Sequence, residues 1–134
     1  MTYSLNSLNK ADVLFVIAKI NGYDLTFDID TGSSHNIIFD YVYEALKDSF
    51  ENTDKTLDVF GIDGNYQKSS IASTDLYFDD VAHKTEFQIV NAMEAVNNIQ
   101  KTFGVQLHGI LGVQFLKDNN CVIDFVNKTI KIGE

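Results

Sequence analysis

The chain has 134 residues, 45% of them apolar and 22% charged, with a formal net charge of −9. That length suits one domain over residues 1–134 and leaves no room for a second complete one. The acidic balance argues against a nucleic-acid partner, because Lys10, Lys19, Lys47, Lys55 and Lys68 are spread along the chain and form no basic patch.

Val13 to Ile20 is β-branched and apolar, which predicts a strand, and Asn21-Gly22 after it is a two-residue hairpin signal. Tyr23 to Ile29 reads as the return strand, leading into the turn-prone segment Asp30-Thr31-Gly32-Ser33-Ser34. Ile37, Ile38, Tyr41, Val42, Ala45 and Leu46 recur at helical spacing and predict a short amphipathic helix over 38–48. Asp54 to Phe60 and Tyr66 to Tyr77 alternate as two strands around Gly61-Ile62-Asp63-Gly64-Asn65, where Asp63-Gly64 is a second hairpin signal. A further strand pair straddles Asp79 to Lys84 and ends around Phe87 to Val90. Residues 92–103 lack strand alternation and read as a helix or a long loop. Gly109-Ile110-Leu111-Gly112 is an apolar segment bracketed by glycines, with a helical turn expected at Gln114 to Lys117. Cys121 to Val126 and Thr129 to Ile132 close the chain as a hairpin around Asn127-Lys128. Many short strands at this spacing predict a closed or sandwiched all-β domain.

No stretch reaches the roughly 20 apolar residues of a membrane span, so no membrane partner is expected. The chain opens with no basic region followed by an apolar core, its first lysine being Lys10, and no targeting segment is expected. Cys121 is the single cysteine, so no intramolecular disulfide or thiolate-rich metal site can form, and a reducing cytoplasm is the simplest compartment. Cys121 is expected to pack as a small hydrophobe in the closing strand. His35, His83 and His108 show no paired metal-ligand spacing and are expected at the surface or in turns. Asp79-Asp80 falls at a turn, and Asn127-Lys128-Thr129 is a glycosylation sequon without meaning outside a secretory route.

Chemistry concentrates at residues 27–38 and 109–125. Phe27-Asp28-Ile29-Asp30-Thr31-Gly32-Ser33-Ser34-His35-Asn36-Ile37-Ile38 resembles the active-site signature of the retropepsin-like aspartic proteases, where Asp-Thr-Gly follows apolar residues and precedes another apolar pair. Ile110-Leu111-Gly112 is similar to that family's second element, and the segment around Gly61 to Asn65 to its flap hairpin. Phe115-Leu116-Lys117 and Cys121-Val122-Ile123-Asp124-Phe125 stand where the family has a helix and a closing strand. The resemblance spans roughly residues 13–132. It implies an all-β, closed retropepsin-like barrel (the acid protease fold) with a flap hairpin and one or two short helices, forming a C2 dimer. The implied activity is hydrolysis of extended peptide or protein substrates, with no cofactor and no metal.

One carboxylate cannot serve as acid and base in the same step. Two of them about 3 Å apart cannot both ionise and therefore share one proton. The ionised member takes a proton from a water held between them, while the protonated one polarises the scissile carbonyl. This chain has a single Asp-Thr-Gly, so the partner of Asp30 is expected from a second copy across a two-fold axis. The resemblance gives Thr31 a brace across the axis and Gly32 an N–H aimed at the carboxylate. It lets Ser33 donate to an outer oxygen of Asp30, which would extend activity toward acid. Ile110, Leu111 and Gly112 are carried over as support behind the loop, and Gly61, Ile62, Asp63 and Gly64 as the flap tip over the substrate.

Asp28 departs from the pattern. Alternation places it on the same side as Asp30, at a groove-lining position that is apolar in retroviral relatives. There it either favours a basic or polar substrate side chain or is a solvated aspartate at the groove's edge. Two other readings compete with the protease: a catalytically silent dimeric module of the same fold that holds a peptide, and one lobe of a longer two-lobed chain.

Overall fold

Alternation on either side of Asn21-Gly22 sets the core. The structure, a computed structural model, describes residues 1–7, 14–60 and 66–133. Strands β1 (Thr2–Ser4) and β2 (Asn6–Ser7) precede β3 (Leu14–Ile20) and β4 (Tyr23–Ile29), which pair antiparallel from Phe15↔Asp28 to Ile20↔Tyr23. Asn21 and Gly22 take φ of 49° and 81°, the two successive left-handed residues that a tight hairpin connection requires. Along β4, Leu25, Phe27 and Ile29 are buried, and Thr26 and Asp28 face the opposite way.

Ile37 and Ile38 do not begin a helix as their spacing predicts. They form β5 (Ile37–Phe39), which pairs antiparallel with β9 (Gly109–Leu111) and parallel with β8 (Val81–Val90). Tertiary pairing on both sides overrides the helical period, and α1 is confined to Asp40–Ala45, followed by a 3-10 turn at Lys47–Ser49. β6 (Glu51–Phe60) and β7 (Tyr66–Phe78) form a long hairpin paired as far as Phe60↔Tyr66, and the Gly61–Asn65 connection lies outside the described residues. A bulge between Asn52 and Lys55 bends β6, with Asp54 at φ 60° and the Thr53 hydroxyl donating to the Ile71 carbonyl at 2.7 Å. Residues 92–103 resolve as helix α2 (Met93–Phe103), ended by Gly104 at φ 72°, whose N–H donates to the Gln100 carbonyl. Helix α3 (Val113–Asp118) and strands β10 (Val122–Asp124) and β11 (Thr129–Lys131) follow. The described residues thus hold three short α-helices, where the resemblance implies one or two.

The strand order β3-β4-β9-β5-β8-β7 returns to β3 through Lys19↔Tyr77, closing a six-stranded barrel; β2 and β6 extend it at the edges. β11 lies between β1 and β10 in a separate three-stranded sheet. The barrel is filled by Phe27, Ile38, Leu76, Phe78, Phe87, Leu111 and Phe115, each contributing about 1.5–3 kcal/mol by leaving water. On the other side of the wall, Phe15, Phe39 and Leu107 pack against Val96 of α2 in a second, smaller cluster.

Candidate active site

Asp30 stands where β4 runs out. Its backbone N–H donates to the Leu111 carbonyl at 3.0 Å, continuing the parallel β4–β9 pairing of Phe27↔Gly109, Asp28↔Ile110 and Ile29↔Leu111 by one more bond. The chain then turns, with the Ser33 N–H on the Asp30 carbonyl at 3.2 Å. The Gly32 N–H donates to Asp30 Oδ1 at 2.8 Å, orienting the carboxylate from its own loop. Thr31 and Gly32 are exposed, Ser33 and Asp30 half-buried. The Ser33 hydroxyl is not directed as expected. It donates to the His35 carbonyl at 2.8 Å, so its one proton tightens the loop and is not offered to Asp30.

The loop is held by a residue that sequence reasoning passed over. Asn36, only 2% exposed, accepts the Gly112 N–H at 3.0 Å and the Phe115 N–H at 3.2 Å on Oδ1. Its Nδ2 donates to the Glu86 carbonyl at 3.1 Å, and its own carbonyl accepts the Gln88 N–H at 2.9 Å. One side chain thereby ties the Asp30 loop to β8, to Gly112 and to the start of α3. Gly112 is required by proximity: a Cβ there would meet the Ser33 carbonyl oxygen at 2.4 Å and that of His35 at 2.5 Å. The Val113 N–H completes the seam on the Ser33 carbonyl at 2.8 Å. Leu111 and Gly112 therefore lie directly against the Asp30 loop, and Ile110 pairs with Asp28 and Ile37 on the strands that flank it.

The β6–β7 hairpin reaches the same end of the barrel. Leu57 and Ile71 line a cleft of ≈ 180 Å³ together with His35, Asn36, Gln88 and Gln114. The flap tip itself, Gly61, Ile62, Asp63 and Gly64, falls outside the described residues. Asp28 is opposite Phe15 across the β3–β4 ladder and in register with Ile110 on β9. Burial, and secondarily the charge of Asp30, pushes its carboxyl up to about 6.

The histidines are less exposed than their sequence context implies, with only His35 at the surface and His83 and His108 half-buried. His108 is half-buried, its Nδ1 accepting the Thr26 N–H at 2.9 Å, and burial holds its pKa below the usual value. His83 packs edge-on to Phe78 and Phe115 and shares a hydrogen bond of 3.0 Å with Asn119. Cys121 immediately precedes β10 and packs against the barrel core, where burial pushes its thiol up to about 11. A cavity of ≈ 420 Å³ lined by Tyr23, Leu25, Tyr41, Val42, Leu46 and His108 lies at the opposite end of β4 from Asp30 and includes no residue of the expected site. Among the described residues no helix is long and apolar enough to cross a membrane.

No protein-family model and no curated protein matches the chain. Solved structures do. The retroviral protease-like domain of Ddi1 from Leishmania major is similar over 92% of this chain and 90% of its own, with a TM-score of 0.63 at 16% identity. EIAV protease, solved with the inhibitor HBY-793, is similar over 84% of this chain and 93% of its own, with a TM-score of 0.60 at 18% identity. A retropepsin-like aspartic protease from Rickettsia conorii is similar over 97% of this chain and 86% of its own, with a TM-score of 0.59 at 14% identity. Likeness at these identities speaks for architecture: the chain has the retropepsin-like fold.

Proposed function

We propose that the protein is an aspartic endopeptidase acting as a homodimer, with Asp30 of each subunit facing its twin across the two-fold axis. The observation that carries this reading is the placement of Asp30. A half-exposed carboxylate, oriented by the Gly32 N–H, sits on a loop pinned to Leu111 and braced by the buried Asn36. Such fixation is what a reaction run by two acids sharing one proton needs, since two close carboxylates repel unless their loops are held. Attack by the water between them gives a tetrahedral diol, which collapses as the shared proton passes to the leaving nitrogen; no covalent enzyme intermediate forms.

Thr31 is assigned to the brace across the axis, Gly32 and Ser33 to the loop, and Ile110, Leu111 and Gly112 to its support. Gly61, Ile62, Asp63 and Gly64 are assigned to the flap tip, which clamps an extended peptide and excludes water from the reacting centre. A reducing cytoplasm suits a chain whose single cysteine, Cys121, is half-buried. The test is a peptidase assay on unfolded protein across pH, with Asp30→Asn as control. Cleavage by wild type that Asp30→Asn abolishes supports the reading. Peptide binding without cleavage in both proteins supports the silent module in its place.

A further inference from the structure

Asp28 is a carboxyl group without a partner among the described residues. None of the described residues gives it a hydrogen bond or an ion pair, and its oxygens are left to solvent. It shares a strand face with Asp30, two residues on, which puts the two positions about 7 Å apart along β4. Its flanks are apolar: Phe15, 2% exposed, stands opposite it on β3, and Ile110 stands beside it on β9. Both belong to the small cluster that α2 covers.

Nothing on the neighbouring elements offsets its charge. The ionisable side chain of β3 is Lys19, at the far end of the strand and tied to Asp24 at 2.7 Å. β9 carries none. His108, just before β9, spends Nδ1 on the Thr26 N–H, and Glu94 and Lys101 of α2 are exposed. Just past the end of β4 the neighbour is another acid, Asp30.

A half-desolvated carboxylate beside a second acid has two ways to relieve its cost: to hold a proton, or to meet a cation. Among the described residues no cation meets it, and the substrate can supply one. We infer that Asp28 selects a lysine or arginine side chain of the peptide next to the scissile bond. The inference rests on the reading of Asp30 as the catalytic acid. The two-fold axis would place one Asp28 on either side of the paired Asp30 carboxylates, so a basic residue is accepted on either flank of the cleaved bond. Selection is weak below pH 6, where Asp28 is protonated and the subsite takes neutral side chains. It strengthens as pH rises past that point and the carboxylate becomes the acceptor of a charge-assisted hydrogen bond.

The test uses unstructured peptides identical except for lysine or norleucine at one position, cleaved at pH 5 and pH 8 by wild type and by Asp28→Asn, with Asp28→Ser as a second variant should the first misfold. The expected result is a lysine-to-norleucine ratio of kcat/KM that rises about tenfold between the two pH values in wild type and stays flat in the variants. A flat ratio in wild type, or one unchanged by the substitution, overturns the role of Asp28 and leaves Asp30 untouched. Absence of cleavage of every peptide overturns the Asp30 reading instead. Calorimetric binding of the two peptides to Asp30→Asn then still decides Asp28: tighter binding of the lysine peptide supports the inference, and equal affinity ends it.

Discussion

Asn36→Ala should be among the most destabilising single substitutions in the chain. The side chain is 2% exposed, and its loss strands the Gly112 and Phe115 N–H groups and the Glu86 carbonyl, now bonded at 3.0, 3.2 and 3.1 Å. A buried polar group left without a partner costs about 1–3 kcal/mol. The Glu86 bond is only partly buried and counts at the low end. The three together give a loss of about 3–5 kcal/mol, a large share of the roughly 5–15 kcal/mol that holds a domain folded. With a urea m-value of about 2 kcal/mol/M, the unfolding midpoint falls by about 1.5–2.5 M. Far-UV circular dichroism is the suitable probe, because the chain has no tryptophan, and protein concentrations must be matched so that any self-association cancels. Asn36→Leu fills the space without restoring the bonds and should lose about as much. A loss below about 1 kcal/mol in either variant refutes the claim that this side chain anchors the Asp30 loop.

Three further outcomes follow from the same geometry. Ser33→Ala should leave the acid limb of the pH–rate profile in place, since the hydroxyl donates to the His35 carbonyl and not to Asp30; an acid limb displaced toward neutrality would show that the hydroxyl reaches the carboxylate in the working enzyme. Asp28 is raised from 3.8 to about 6 by burial and then by Asp30, so the folded state binds more protons than the unfolded one between those values and loses stability as pH climbs through them. Asp28→Asn should therefore add about 1–2 kcal/mol at pH 8, after allowance for solvent screening, and almost nothing at pH 3; equal effects at both pH values in urea titrations would contradict this. With −9 on each protomer, dimerisation should tighten at higher salt and at mildly acidic pH, and sedimentation equilibrium insensitive to both would count against the two-fold assembly.

What was legible in the sequence were the local signals with a mechanical cause. Asn21-Gly22 specified the first hairpin because both residues tolerate the left-handed φ they adopt, and Asp79, at φ 53°, starts the turn between β7 and β8. Asp30-Thr31-Gly32 and Ile110-Leu111-Gly112 were legible as two elements, and β4–β9 pairing brings them side by side. What was misread or left open had other causes. Ile37 and Ile38 have helical spacing, and only their distant partners on β8 and β9 make them a strand. Residues 93–103 bury a single side chain fully, Val96, which left too faint an apolar stripe to separate helix from loop. Asn36 reads as one more polar residue in a turn, because its side-chain partners stand 50, 76 and 79 residues away. The Ser33 hydroxyl, expected on Asp30, goes to the local His35 carbonyl instead.

The most direct test of the paired acids is subunit mixing. Wild type and Asp30→Asn are combined in equal amounts, exchanged to equilibrium, and assayed at a fixed total concentration. If each cut requires one Asp30 from either chain, only wild-type pairs work, and activity falls to about a quarter of the unmixed value. Activity at half, in proportion to the wild-type protein present, would mean that each chain carries a complete site and would contradict the account.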